Sequence, residues 1–155
     1  MTKLASGEVV FERVTKRYGD VAAVDDVSFR VAAGELVTLL GPSGCGKTTM
    51  LRMVAGLEAV TQGRVLIGDE DVTLRAASER NVSMVFQSYA LFPHMSVMEN
   101  VCYGPVSMRA SKEHARELAA AKLAMLGLSG FEKRLPSELS GGQQQRVAVA
   151  RSLVL

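Results

Sequence analysis

The chain has 155 residues, enough for one hydrophobic core with little room for a second, and its 48% hydrophobic and 22% charged content excludes the disordered and fibrous classes. Its 18 Lys and Arg against 16 Asp and Glu leave a formal charge of +2, scattered along the sequence, so there is no electrostatic footprint for nucleic acid. No apolar run nears the roughly 20 residues of a membrane helix, Met1 to Glu8 reaches an acid before any stretch suited to a secretory signal, and Cys45 and Cys102 are too few for a disulfide framework; a cytosolic protein that meets membranes only through a partner is expected.

Glu8 to Val14 alternates apolar and polar residues as a strand does, Tyr18-Gly19-Asp20 supplies turn chemistry, and Val27 to Val31 repeats the alternation. This predicts an antiparallel beginning. Leu36-Val37-Thr38-Leu39-Leu40 is nearly continuous in apolar character, the pattern of a strand buried on both faces of a parallel sheet. Lys47 to Ala55 suits a helix that Gly56 stops. Gly63 to Gly68 reads as a short strand, the acidic run Asp69 to Asp71 as a solvated turn, and Val82 to Phe86 as a further strand ending at Gln87. Beyond it, Ser96 to Val101 and Ser111 to Leu126 read as helices. The second places Ala115, Leu118, Ala119, Met125 and Leu126 near one face, with Lys122 able to snorkel from it. His94 and His114 have no ligand-like spacing and no assigned role. There is no internal repeat or low-complexity linker, so the helical segment is expected to be an insertion in one domain.

Between the apolar run and the first helix stands Gly41-Pro42-Ser43-Gly44-Cys45-Gly46-Lys47-Thr48, a full match to G-x-x-x-x-G-K-[ST] in the strand-to-helix context that gives the motif meaning. A triphosphate leaves water only if many donors replace its hydration shell. Glycines let successive backbone N–H groups point at the anion, and the helix N-terminus adds its positive dipole end. Lys47 can reach the β- and γ-phosphates and the Thr48 hydroxyl can join a Mg²⁺ shell. Cys45, near a helix N-terminus, is expected to react with thiol reagents and to be shielded by bound ATP.

Leu139-Ser140-Gly141-Gly142-Gln143 precedes a helical stretch from Gln144 to Arg151. Ser140 with Gln143 three residues on forms a capping box, so Gly141 and Gly142 would expose free N–H groups at a helix start, a second anion site.

With both motifs in one chain, the sequence resembles the ATPase subunits of ATP-binding-cassette (ABC) transporters over nearly its whole length. The resemblance implies an α/β fold: a P-loop NTPase-type sheet with an N-terminal antiparallel β portion and an inserted helical subdomain, divided as a nucleotide-binding core (1–87), the helical subdomain (88–138), and the signature loop with its helix (139–155). It implies ATP and Mg²⁺ as cofactors. Tyr18 would stack on adenine; Gly41, Pro42, Ser43, Gly44, Cys45, Gly46, Lys47, Thr48 and Thr49 would hold the phosphates. Lys47 and Gln87 would serve catalysis, with Thr48 completing the Mg²⁺ shell and Gln87 sensing the metal and the γ-phosphate. Ser140, Gly141, Gly142 and Gln143 would contact ATP held by a second subunit in a head-to-tail dimer.

Phe86 to Val97 and Gln143 to Arg146 resemble bacterial importers for polyamines, ferric ion and phosphonates. That implies an integral membrane permease as partner, facing the segment after Gln87. A periplasmic solute-binding protein acts indirectly, and the chain is placed on the inner face of the plasma membrane. The family pattern continues with an aspartate-bearing strand, a catalytic glutamate and a switch histidine that do not occur among these residues. The 155 residues by themselves are therefore expected to be a fragment, incomplete at the C-terminus, that hydrolyses no ATP. The alternatives are a soluble cassette acting on nucleic acid or ribosomes, which the near-neutral charge and lack of zinc-type Cys spacing disfavour, and a non-catalytic nucleotide-binding fragment.

Overall fold

The computed structural model describes residues 7–154, and the chain divides into two compact units after Val82. The first is built on one antiparallel sheet. Strand β1 (Val9–Tyr18) turns at Gly19-Asp20 into β2 (Val21–Val31), and β3 (Gln62–Ile67) turns at Gly68-Asp69 into the short β4 (Glu70–Asp71); the strand order is β2-β1-β3-β4. Pairing sets Val9 opposite Val31 and Phe11 opposite Phe29, and the two Phe rings stack with centroids 4.5 Å apart. Both predicted N-terminal strands are longer than the alternation suggests, and the β1–β2 ladder carries register shifts between Phe11 and Arg17 that interrupt the two-residue period.

Helix α1 (Lys47–Val54) places Met53 in the core with Phe11, Val14, Val24, Val65 and Val72. Arg80 closes the far end of that helix. Its buried guanidinium donates to the carbonyls of Met53 (2.6 Å) and Val54 (3.2 Å) in the last turn of α1 and to those of Thr73 and Arg75 in the following loop. A cation at a helix C-terminus meets the negative end of the dipole, and burial pulls its pKa down.

Two predicted strands do not form. Residues 36–40 and 82–86 have no regular structure, with Leu36 at 94% and Leu40 at 87% exposure. A strand exists through its ladder, and one apolar on both faces needs neighbours on both sides and cover above and below. Among the described residues the sheet is β2-β1-β3-β4 alone, and neither run pairs with it.

The second unit holds three helices: α2 (Val97–Ser107), α3 (Lys112–Met125) and α4 (Gly141–Leu153). Each starts at a serine whose side chain accepts from a backbone N–H three residues on: Ser96 from Glu99, Ser111 from His114, Ser140 from Gln143. Val97, Val101, Ala115, Ala119, Leu123, Leu128, Val147 and Ala150 are buried between them. On α3 the buried line is Ala115, Ala119, Leu123, at four-residue spacing, whereas Met125, expected on that face, is 63% exposed. Asn100, fully buried, fixes the approach to α2. Its amide accepts from Phe92 N–H at 2.8 Å and donates to the carbonyls of Met95 and Ser96.

Candidate nucleotide site

The phosphate loop is seated on β2. Gly46, which precedes α1, has φ +90°, and a Cβ there would lie 2.5 Å from the Ala23 carbonyl oxygen of β2. Gly41 at the other end has φ +154°, and its Cβ would lie 2.7 Å from Cys45 Sγ. Any side chain at Gly46 would lift the helix off the strand, so glycine is required by the close approach as well as by the dihedral. Gly44 also lies in the left-handed region, at φ +83°, but with open space around it.

Lys47 spans this curve. Its ammonium donates to the carbonyls of Gly41 and Pro42, each at 2.7 Å, and lies 3.4 Å from Cys45 Sγ. The cation therefore sits over the concave side of the loop, beside the first turn of α1. Pro42, Ser43, Cys45 and Thr48 are exposed there, and Thr49 is half-buried. The first N–H groups of a helix have no intrahelical acceptor, so this surface offers a positive charge, dipole-aligned donors and a hydroxyl at once. That donor set fits a polyphosphate. For a divalent cation the loop contributes the Thr48 hydroxyl; among the described residues there is no cluster of three His, Cys, Asp or Glu arranged to hold a metal. Mg²⁺ fits as an ion shared with phosphate oxygens and water.

Tyr18, at the end of β1, is brought next to this helix. Its ring is half exposed; its hydroxyl interacts with Glu58, a hydrogen bond that, followed by burial, raises the phenol pKa, and with Thr49 in the first turn of α1. Glu58 forms a 2.7 Å ion pair with Lys16, and both side chains are largely buried. Lys16 Nζ also stands 4.8 Å from the Tyr18 ring centroid. The Lys16 ammonium, followed by the Tyr18 hydroxyl, holds the Glu58 carboxyl below the ordinary carboxylate range. Lys16 and Glu58 are absent from the sequence-based site. Lys16 shares a strand face with Tyr18 by two-residue spacing, a usable signal, but Glu58 is remote in sequence and carries none.

The other expected site residues belong to the second unit. Gln87 is exposed at the centre of a turn closed by Tyr89 N–H donating to the Phe86 carbonyl at 2.9 Å. Ser140 and Gln143 form the expected capping box: Ser140 N–H donates to Gln143 Oε1 at 2.8 Å and Gln143 N–H to Ser140 Oγ at 3.4 Å. Gly141 and Gly142 open α4, and a Cβ at either would meet nothing within 4 Å. No helix among the described residues is long and apolar enough to cross a membrane.

The family model for ABC transporters matches residues 24–155. The Fe(3+) ions import ATP-binding protein FbpC 1 of Rhizobium meliloti (strain 1021) is 61% identical over 155 residues, all of this chain and 44% of that relative. The corresponding protein of Escherichia coli O157:H7 is 52% identical over 147 residues, 95% of this chain and 42% of the relative. The chain thus spans less than half the length of these curated relatives. The solved dimeric structure of MJ0796, a bacterial ABC transporter cassette, superposes with a TM-score of 0.83 at 35% identity, covering 94% of this chain and 69% of that one. The fold expected from the sequence, an α/β cassette with an antiparallel β portion and a helical segment, is that of these structures. A family match over residues 24–155, a span that includes both the phosphate loop and the Leu139–Gln143 motif, means that this chain belongs to the ABC transporter family.

Proposed function

We propose that the chain is the nucleotide-binding portion of an ATPase subunit that couples ATP binding and hydrolysis to solute import through a separate membrane permease. The observation that carries this reading is the loop of residues 41–48 on α1, where Gly41 and Gly46 are required by close contacts and Lys47 bonds the Gly41 and Pro42 carbonyls. Gly41 to Thr49 take the phosphates and Tyr18 stacks on the base, its free ring face opposite Lys16. Thr48 would hold Mg²⁺ and Gln87 would sense it; the ion, when bound, would supply charge neutralisation for phosphoryl transfer.

Glycine costs roughly 0.5 to 1 kcal/mol against alanine in the middle of a helix, and less at the first positions that Gly141 and Gly142 occupy. Gly141 and Gly142 incur that cost with open space around them, so the chain's own packing gives no reason for them. Close approach by something outside the unit does, and a nucleotide held by a second copy, head to tail, is the occupant that fits Ser140 to Gln143. The permease faces the segment after Gln87 and brings the protein to the inner face of the plasma membrane. A periplasmic binding protein delivers the solute to that permease. Since the relatives' names specify Fe(3+) ions, ferric ion is the solute we assign.

Titration of a fluorescent ATP analogue with Mg²⁺ tests the core of this reading. Lys47→Ala should weaken binding at least about tenfold, or ~1.4 kcal/mol, without changing the circular dichroism spectrum. Equal affinity in the two proteins would remove the loop as the nucleotide site.

A further inference from the structure

Tyr89 and Ala90 have φ of +62° and +48°, two consecutive non-glycine residues in the left-handed region. L side chains visit that region rarely, because Cβ crowds the following carbonyl, and they stay there only where the surroundings hold them. Beside the Tyr89 N–H bond to the Phe86 carbonyl, one side chain holds both. Arg151, in the last turn of α4, donates from Nη2 to the Tyr89 carbonyl at 3.0 Å and from Nη1 to the Ala90 carbonyl at 2.7 Å. The guanidinium also stands 5.7 Å from the Phe92 ring centroid. A planar fork of donors can hold two carbonyls in one fixed relation, which a lysine cannot.

A second tie lies on the other side of Gln87. Ser83 Oγ donates to the Ser152 carbonyl at 3.1 Å and stands 2.8 Å from Ser152 Oγ. Gln87 is therefore bracketed, at residue 83 and at residues 89 and 90, by neighbouring residues of a single helix turn. The opposite end of that helix is the Ser140 capping box. Thirteen residues of α-helix, about 20 Å at 1.5 Å per residue, connect the two.

We infer that Arg151 is a positioning residue for Gln87: it imposes the left-handed pair that ends the Gln87 turn and so ties the metal-sensing glutamine to the helix that starts at Ser140. The functional half of this inference rests on the proposed role of Gln87; the structural half does not.

Two measurements on the full chain separate these halves. In amide hydrogen exchange, Arg151→Met should speed exchange at residues 88–91 at least about tenfold while α2 and α3 keep their protection, and Arg151→Lys should recover only part of it. Unchanged exchange at 88–91, or an increase spread evenly over the unit, overturns the clamp. The second measurement is the gain in affinity for a fluorescent ATP analogue on adding Mg²⁺. Gln87→Ala and Arg151→Met should each reduce that gain by a similar factor, and the double variant should lose no more than either. If Gln87→Ala loses the gain and Arg151→Met retains it, Arg151 does not position Gln87. If Gln87→Ala retains it, the reading of Gln87 as metal sensor fails, and the exchange rates alone decide the clamp.

Discussion

The chain carries two glycine-bearing helix starts, and they use glycine for opposite reasons. At α1, Gly46 sits where a Cβ would run into the Ala23 carbonyl and where φ is +90°; the unit cannot close without it. At α4, Gly141 and Gly142 have room on every side. A glycine that packing demands marks a preformed cradle. A glycine that packing does not demand marks a surface shaped for something that arrives later.

The largest test of this contrast is Gly46→Ala. A left-handed alanine costs about 1 to 2 kcal/mol and overlap with a backbone oxygen adds a comparable amount, so the first unit should lose about 2 to 4 kcal/mol in denaturant unfolding. Nucleotide affinity should fall with it. Gly142→Ala should leave stability unchanged or raise it by about 0.5 kcal/mol. A loss at Gly142 comparable to that at Gly46 would show that α4's glycines serve its own packing and would erase the distinction.

Arg80→Met is expected next, at about 2 to 3 kcal/mol, because the Met53 and Val54 carbonyls at the C-terminal end of α1 and those of Thr73 and Arg75 lose their donor at once. The effect should appear in the first unit only, as lost exchange protection in α1. Unaltered protection there would mean that water satisfies those carbonyls equally well. Smaller again is Ser140→Ala. Loss of a side-chain cap costs about 1 kcal/mol and should fray the first turn of α4 without affecting residues 41–49.

Much of this was legible in the sequence, for reasons that differ by residue. The two loop motifs, the capping serines at 96, 111 and 140, and the stop at Gly56 depend on neighbours within a few positions, so local chemistry determines them. The Leu36–Leu40 and Val82–Phe86 runs misled because apolar character signals a buried strand, whereas a strand also needs a ladder partner, and none of the described strands serves. Arg80, Arg151 and Glu58 were invisible for a related reason. Each acts on backbone or side chains brought close by folding, Arg151 on carbonyls some 60 residues away, and nothing adjacent in sequence announces such a contact.

The smallest expected effect concerns the Lys16–Glu58 pair beside Tyr18. The folded-state pKa of Glu58 is depressed, chiefly by the Lys16 ammonium 2.7 Å away. A depressed carboxyl stabilises the native state above its unfolded pKa, near 4.3 for glutamate, and that stability is lost as pH falls through the folded value. The first unit should therefore weaken as pH drops below about 5. Glu58→Gln should flatten part of that slope, leaving the share from Asp71, whose carboxyl is held down by the Thr73 hydroxyl and N–H. The second unit provides the internal control. Its depressed carboxyls, Glu99 bonded to Ser96 and Glu132 to Gly130, are untouched by the substitution, so exchange protection in α2 and α3 should follow the same pH profile in both proteins. Since Glu58 also engages the Tyr18 hydroxyl, nucleotide affinity should decline over the same acidic range in the wild type. In Glu58→Gln it should start lower and change less. A wild-type slope that survives Glu58→Gln intact would assign the acid sensitivity of the first unit to Asp71 and leave the Lys16–Glu58 pair as a packing contact for the Tyr18 ring.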